Sequence, residues 1–243
     1  MKSQVVSCFA LFLAPLFSAS NVQIAVRALE QRYRHASTLR AVFFQRYSDG
    51  NGGVAAESGI VYFSRPGRMR WEYESPESKL FLVDGTNVWF YVPADRTASR
   101  AKLKESSDWR TPVALLAGKA NLAQICSHIE MVGAAGAAPA GKSQAAPAGN
   151  LEDAPSAAGN SVLRCAPRGS SDKSADAIRE ILFEVDSSSD LVRVLIRQPG
   201  SAETEFRFGS WELNIPISEA KFHFAAPPGV AIVDEATLAG ALH

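Results

Sequence analysis

The sequence predicts a mainly β fold with short helices: one curved antiparallel sheet or open barrel of about eleven strands. Three observations predict it. From about residue 41 the hydrophobic pattern takes a period of two, most regularly where Met69, Trp71 and Tyr73 alternate with Arg68, Arg70, Glu72 and Glu74. Turn signals punctuate the alternating runs, with Pro66-Gly67 and Asp84-Gly85 the clearest. The strands also carry more large apolar side chains than one face of a small sheet needs, which points to a greasy hollow enclosed by the sheet.

With 243 residues the chain is long enough for one good core and has room for a second. Basic and acidic residues balance at 25 each, and no basic block tracks a phosphate backbone, so nucleic acid is not a partner. Residues 1–20 read as a signal peptide. Lys2 is the basic head, Val5 to Phe17 the apolar core, and Ser18-Ala19-Ser20 the small residues before a cleavage. The apolar run is too short to span a bilayer comfortably. The competing reading is a buried or membrane-anchoring helix. Val5-Val6-Ser7-Cys8 looks superficially like a lipoprotein cleavage box, but the apolar core follows Cys8 instead of preceding it, so lipidation there is rejected. The mature chain then begins near Asn21 and is exported. Residues 21–243 are expected to form a single domain. Two cysteines remain, Cys126 and Cys165. Export permits a bond between them, and two buried free thiols are the alternative; spacing alone leaves the pairing open.

Taken in order, residues 22–37 form an amphipathic helix, with Val22, Ala25, Val26, Leu29, Tyr33 and Ala36 on one stripe. Ala41 to Tyr47 and Ser58 to Ser64 are strands around a Gly-rich loop. Gly59, Val61, Phe63 and, by strict alternation, Arg65 share a face. Leu80 to Val83 and Asn87 to Val92 pair across Asp84-Gly85. The second is apolar on both sides, so both sides are covered. Thr97 to Leu103 is a polar strand near an edge. Thr111-Pro112 through Gly118 is a short helix with cap, first-turn proline and glycine stop, too apolar for a free surface. Strands at 127–132 and 161–166 flank an Ala/Gly/Pro-rich insertion, 133–160, which lacks the apolar residues to offset its own ordering and is expected to be disordered. Strands follow at 178–185, 191–197 and 203–214, the last with a parity flip at Gly209-Ser210 that marks a bulge. Ser218 to Lys221 is a helical turn, Phe222-His223-Phe224 a short strand, and Val230 to Val233 a tail strand.

Reactive constellations are missing. His35, His128, His223 and His243 have no second ligand at metal spacing, and no nucleophile elbow, phosphate loop or dinucleotide fingerprint occurs. Asp84 is a turn residue, and Glu72 with Glu74 reads as a solvated edge. No catalytic residue, metal or cofactor is assigned, and the chain is not read as an enzyme.

Several motifs resemble those of the LolA-type periplasmic carriers of outer-membrane lipoproteins. They are Phe43-Phe44-Gln45, Gly59 through Trp71 with Arg65-Pro66, and Pro76 through Pro93 with Asp84-Gly85 and Trp89-Phe90-Tyr91. Further along come Thr111-Pro112 with Leu115-Leu116, and Ala220-Lys221-Phe222 through Gly229-Val230. The Ala/Pro-rich insertion departs from the family pattern. The resemblance implies an open half-barrel of antiparallel strands whose hydrophobic cavity is covered by a helical lid. It implies a periplasmic monomer that takes acylated lipoproteins from an inner-membrane lipoprotein-releasing ABC transporter and passes them to an outer-membrane lipoprotein acceptor. By motif position the lid latch is Arg65. The lid is Val26, Leu29, Tyr33, Val113, Leu115 and Leu116. The acyl-chain cavity is Phe43, Val61, Phe63, Met69, Trp71, Tyr73, Leu80, Leu82 and Phe90.

The residues agree on their own terms. A guanidinium on an apolar face needs partners, and the carbonyls at a helix end supply them. The bland alternative is that Arg65 caps a strand into solvent, and that the aromatics fill an ordinary core. The rival functions are a lipid-sensing or other hydrophobic-ligand-binding periplasmic regulator on the same fold, an outer-membrane acceptor, and an enzyme in a lipid-binding barrel.

Overall fold

A computed structural model describes residues 17–103, 113–118, 120–133, 156–168 and 178–235. Helix α1 (Phe17–Arg34) leads into β1 (Thr38–Ser48), β2 (Val54–Ser64), β3 (Arg68–Ser75), β4 (Lys79–Val83), β5 (Asn87–Val92) and β6 (Thr97–Lys102). Two single-turn helices follow, α2 (Val113–Leu116) and α3 (Leu122–Ile125). The remaining strands are β7 (Cys126–Gly133), β8 (Ser161–Pro167), β9 (Glu180–Val185), β10 (Leu191–Arg197), β11 (Glu203–Leu213) and β12 (Ala231–Asp234). The expected cleavage after Ser20 falls inside α1, and the rest of the expected signal peptide lies outside the described residues, as do 134–155 of the insertion and His243. Among the described residues no helix is long and apolar enough to cross a membrane.

The strands form one open twelve-stranded sheet in the order β12-β6-β5-β4-β3-β2-β1-β11-β10-β9-β8-β7, with β12 and β7 as its free edges. Its curvature shows in the aromatic contacts. Trp71 on β3 and Phe206 and Phe208 on β11 lie three places apart in the sheet, yet their ring centroids are 5.5 and 6.2 Å apart. On a flat sheet three strand spacings separate backbones by about 14 Å. The sheet must bend around these side chains, giving a half-barrel. Two local features help it bend. The parity flip on β11 is a bulge, where the pairing jumps from Arg40–Glu212 to Val42–Gly209 and Ser210 takes a positive φ of 54°. At Gly59 a Cβ would collide with the Glu72 carbonyl oxygen, so β2 and β3 close up only over glycine.

Inner and outer faces have separate cores. The inner one gathers side chains from most of the sheet, including Phe43, Phe63, Trp71, Phe183, Phe206 and Phe208, under α1, α2 and α3. On the outer side Leu80, Leu82 and Trp89 pack with Phe222, Ile217 and Phe224 from the chain after β11. Phe222-His223-Phe224 is therefore not a strand. A 3-10 turn, Glu219–Phe222, is followed by a strap laid on the back of β3–β5. The alternating phenylalanines that imitate a strand are anchors: Phe222 is fully buried, and the Phe224 ring lies 4.9 Å from that of Trp89. Charges fasten the strap as well. Arg68 pairs with Glu219, and Lys221 reaches both Glu72 carboxylate oxygens at 3.1 Å, so Glu72 is a tie point and not a solvated edge. The Arg70 and Lys221 bonds outweigh burial and hold the Glu72 carboxyl below its usual value.

Past the strap, β12 pairs with β6 in parallel, an exception to the antiparallel run expected from the sequence, because the strap carries the chain across the sheet before it pairs. The polar β6 consequently sits one place in from the edge. At the other side Cys126 and Cys165 are bonded across β7 and β8, with Cα atoms 5.5 Å apart. Glu184, buried on the outer face of β9, accepts bonds of 2.7 Å from Ser156 N, Ser156 Oγ and Asn160 Nδ2, which fixes the return limb of the insertion to the sheet.

The strap reading is checked by Phe222→Ala. Removing this fully buried ring should cost about 3–5 kcal/mol in urea or guanidinium unfolding. A loss below about 1 kcal/mol would mean that the strap does not contribute to the fold.

Candidate functional site

Antiparallel partners point to the same face, and the register therefore assigns the inner wall. Trp71 sits opposite Val61 and Phe81, and Met69 opposite Phe63 and Val83. Phe43, Val61, Phe63, Trp71 and Tyr73 are buried in the inner cluster, with Met69 and Phe90 half-buried against it. Leu80 and Leu82, expected in the cavity, are on the other face under the strap. The reason is that Leu80-Phe81-Leu82-Val83 is apolar on both parities, and only its pairing with β3 decides between them. Phe81, Val83 and Val88 take the inner positions. The expected wall also lacks Phe206 and Phe208, whose shared parity on β11 was a usable signal.

Aromatic packing gives the wall its shape. Phe43 meets Trp71 edge-on at 4.8 Å and Tyr73 at 5.0 Å. The Tyr73 hydroxyl donates to Gln45 Oε1 at 2.8 Å, so this buried polar pair is satisfied, and burial pushes the Tyr73 phenol well above its ordinary value. The Trp71 indole N–H is buried with no acceptor.

The cover is made of the three helices. Leu29 and Tyr33 of α1, Leu115 and Leu116 of α2, and Leu122 and Ile125 of α3 are all buried in the inner cluster, and Val26 packs beside them. The Val113 side chain lies outside the described residues. Polar contacts place α1. Arg32 pairs with Asp190 at 2.7 Å, Leu191 N donates to the Tyr33 hydroxyl at 2.9 Å, and Leu122 N donates to Glu30 Oε1 at 2.9 Å.

Arg65 stands where the helices meet the sheet. Its Nη1 donates to the Tyr33 carbonyl and, at 3.3 Å, to the Ala36 carbonyl. These are carbonyls at and just past the C-terminus of α1, where the helix has no internal donors left and its dipole is negative. The partner is α1 itself; the α2 segment contributes packing. Gly67 N donates to Ala117 O at 2.8 Å, and the guanidinium lies against Gly118. Burial lowers the Arg65 pKa from its ordinary value, and its Nε–H finds no acceptor.

Elsewhere, Asp84 accepts from Thr86 N, Asn87 N and the Trp89 indole, as a turn residue does; these bonds outweigh its burial and keep its carboxyl below the usual value. His35, His128 and His223 are exposed, and among the described residues no three His, Cys, Asp or Glu side chains gather as metal ligands would. What the arrangement offers is an apolar wall under a hydrogen-bonded cover.

Residues 34–133 match the family described as outer membrane lipoprotein carrier protein LolA. An outer-membrane lipoprotein carrier protein from Psychromonas ingrahamii is 26% identical over 236 residues, covering 97% of this chain and 100% of the relative. One from Nitrosospira multiformis is 33% identical over 119 residues, 49% of this chain. One from Erwinia tasmaniensis is 31% identical over 118 residues, 48% of this chain. These last two matches span 56% and 57% of the relatives' length. Among solved structures, an uncharacterized conserved protein from Thermus thermophilus superposes with a TM-score of 0.51 at 10% identity, covering 88% of this chain and 99% of that one. That likeness concerns the fold alone.

The buried polar pair gives a direct check on the wall. Tyr73→Phe should cost about 1 kcal/mol in chemical denaturation, because the Gln45 carbonyl loses a donor. An unchanged midpoint would place Gln45 and Tyr73 in contact with water.

Proposed function

We propose that this chain, whose residues 34–133 match the LolA family, carries acylated lipoproteins through the periplasm with their acyl chains held against the inner face of the sheet. In this reading it receives cargo from an inner-membrane lipoprotein-releasing ABC transporter and yields it to an outer-membrane acceptor, acting as a monomeric carrier that performs no reaction. The observation that carries the proposal is the inner cluster: an aromatic wall drawn from most of the sheet, covered by helices, with α1 tied down at Arg65 and α2 at Gly67.

The magnitudes suit a carrier. Each buried methylene is worth about 0.8 kcal/mol, so several acyl chains in an open hollow would be held almost irreversibly. Incoming chains must first displace the lid. Leu29, Tyr33, Leu115 and Leu116 each contribute about 1.5–3 kcal/mol of burial, so their release offsets roughly 6–12 kcal/mol of the gain. The closed state is itself imperfect, since two buried donors, Arg65 Nε and Trp71 Nε1, go unsatisfied.

The test is native mass spectrometry of protein recovered from periplasm, followed by transfer to acceptor membranes. Bound triacylated lipoprotein supports the proposal; bound free lipid without lipoprotein would overturn it in favour of a lipid sensor. With the same assay, Arg65→Leu should load faster and release more slowly, by about tenfold, because closure no longer competes with cargo. Wild-type loading and release in that variant would remove Arg65 from the mechanism.

A further inference from the structure

We propose that Gly118 is a positioning residue for the lid: its missing side chain is the seat over which the Arg65 guanidinium reaches the end of α1. This deepens the carrier reading above and rests on it.

Four contacts converge on the turn. Arg65 N donates to Ser37 O at 2.8 Å, just beyond α1. The guanidinium binds the Tyr33 and Ala36 carbonyls, also at the end of α1. Gly67 N donates to Ala117 O at 2.8 Å, at the end of α2. The fourth contact is the seat at Gly118. A Cβ built there would lie 2.8 Å from both Arg65 Cζ and Nη2 and would run into Nε. Real Cβ atoms do not approach that closely, so the guanidinium reaches the α1 carbonyls by passing over a residue with no side chain. Gly118 also has φ +71°, and its N–H closes α2 by donating to Leu115 O at 3.1 Å.

What a side chain at this place would do follows from which partner yields. The obstructing group is the far end of a long, flexible arginine, whereas the backbone at Ala117 and Gly118 is pinned by the bonds from Gly67 N and to Leu115 O. The arginine would swing away, and the carbonyls of α1 would lose their donor although nothing on α1 had changed. A change at α2 is thus transmitted to α1 through one side chain.

The experiment uses the full mature protein and two readouts. The first is amide exchange at 33–37; the second is the uptake rate of a pyrene-labelled diacyl lipopeptide. Gly118→Ala and Gly118→Asn are compared with wild type, each alone and combined with Arg65→Leu. Both glycine replacements should raise exchange and uptake about fivefold or more in the Arg65 background and add nothing once Arg65 is leucine. Asparagine separates the two roles of the glycine, since it tolerates positive φ yet carries a Cβ. If Gly118→Asn behaves as wild type, or if Gly118→Ala acts equally in both backgrounds, the effect is backbone strain and the inference fails. A wild-type protein that takes up no lipopeptide counts against the carrier reading, and the exchange readout still decides the role of Gly118.

Discussion

Greasy surface cannot stay bare in water, and this requirement organises the molecule. A sheet bent far enough to bring Trp71 against Phe206 has an inner face that no neighbouring sheet can cover. Buried ordinarily, that face would be a permanent core. Here the cover is three helices, α1 and two single turns, held by identifiable polar attachments. Isolated single turns do not persist without packing, so the wall and its cover stabilise each other.

The two faces of the sheet divide the work. The outer face carries what is permanent. The C-terminal strap sets Phe222 under Arg68 and crosses the back of β3–β5, Lys221 ties to Glu72, and the buried Glu184 binds Arg193 and the residues that return from the insertion. These contacts keep the curved wall stiff and do not depend on whether the inner side is occupied. On the inner side the attachments converge on the Arg-Pro-Gly turn, a place where one side chain touches the ends of two helices. A rigid wall and a cover pinned near one point are what reversible loading requires.

Much of this was legible in the sequence. Strict alternation in β3 fixed its inner residues, because charged neighbours leave only one face to bury. The helical stripe of α1 was readable for the same reason, and Arg65 stood out as a charge placed on an apolar face. The failures have a common cause. Alternation names two faces but does not say which is inside, and where both parities are apolar the information is absent. Leu80 and Leu82 were misplaced on that account, since the assignment comes only from pairing with Trp71 and Met69. Phe222 and Phe224 imitate a strand because an extended strap also presents alternate side chains, whether or not its backbone pairs. The cysteine bond, the parallel β12 and the seat at Gly118 are long-range facts that spacing does not encode.

The central claim is that acyl chains and the lid compete for one surface. Spin labels at the exposed positions Gln31 on α1 and Thr86 on the β4–β5 turn would report on it directly through their separation. Triacylated lipopeptide should shift the distance distribution from one population to a longer one by several ångströms, roughly the thickness of the side-chain layer that the lid gives up. An unchanged distribution at saturating lipopeptide would contradict the account, because the cargo would then be held somewhere other than beneath the helices.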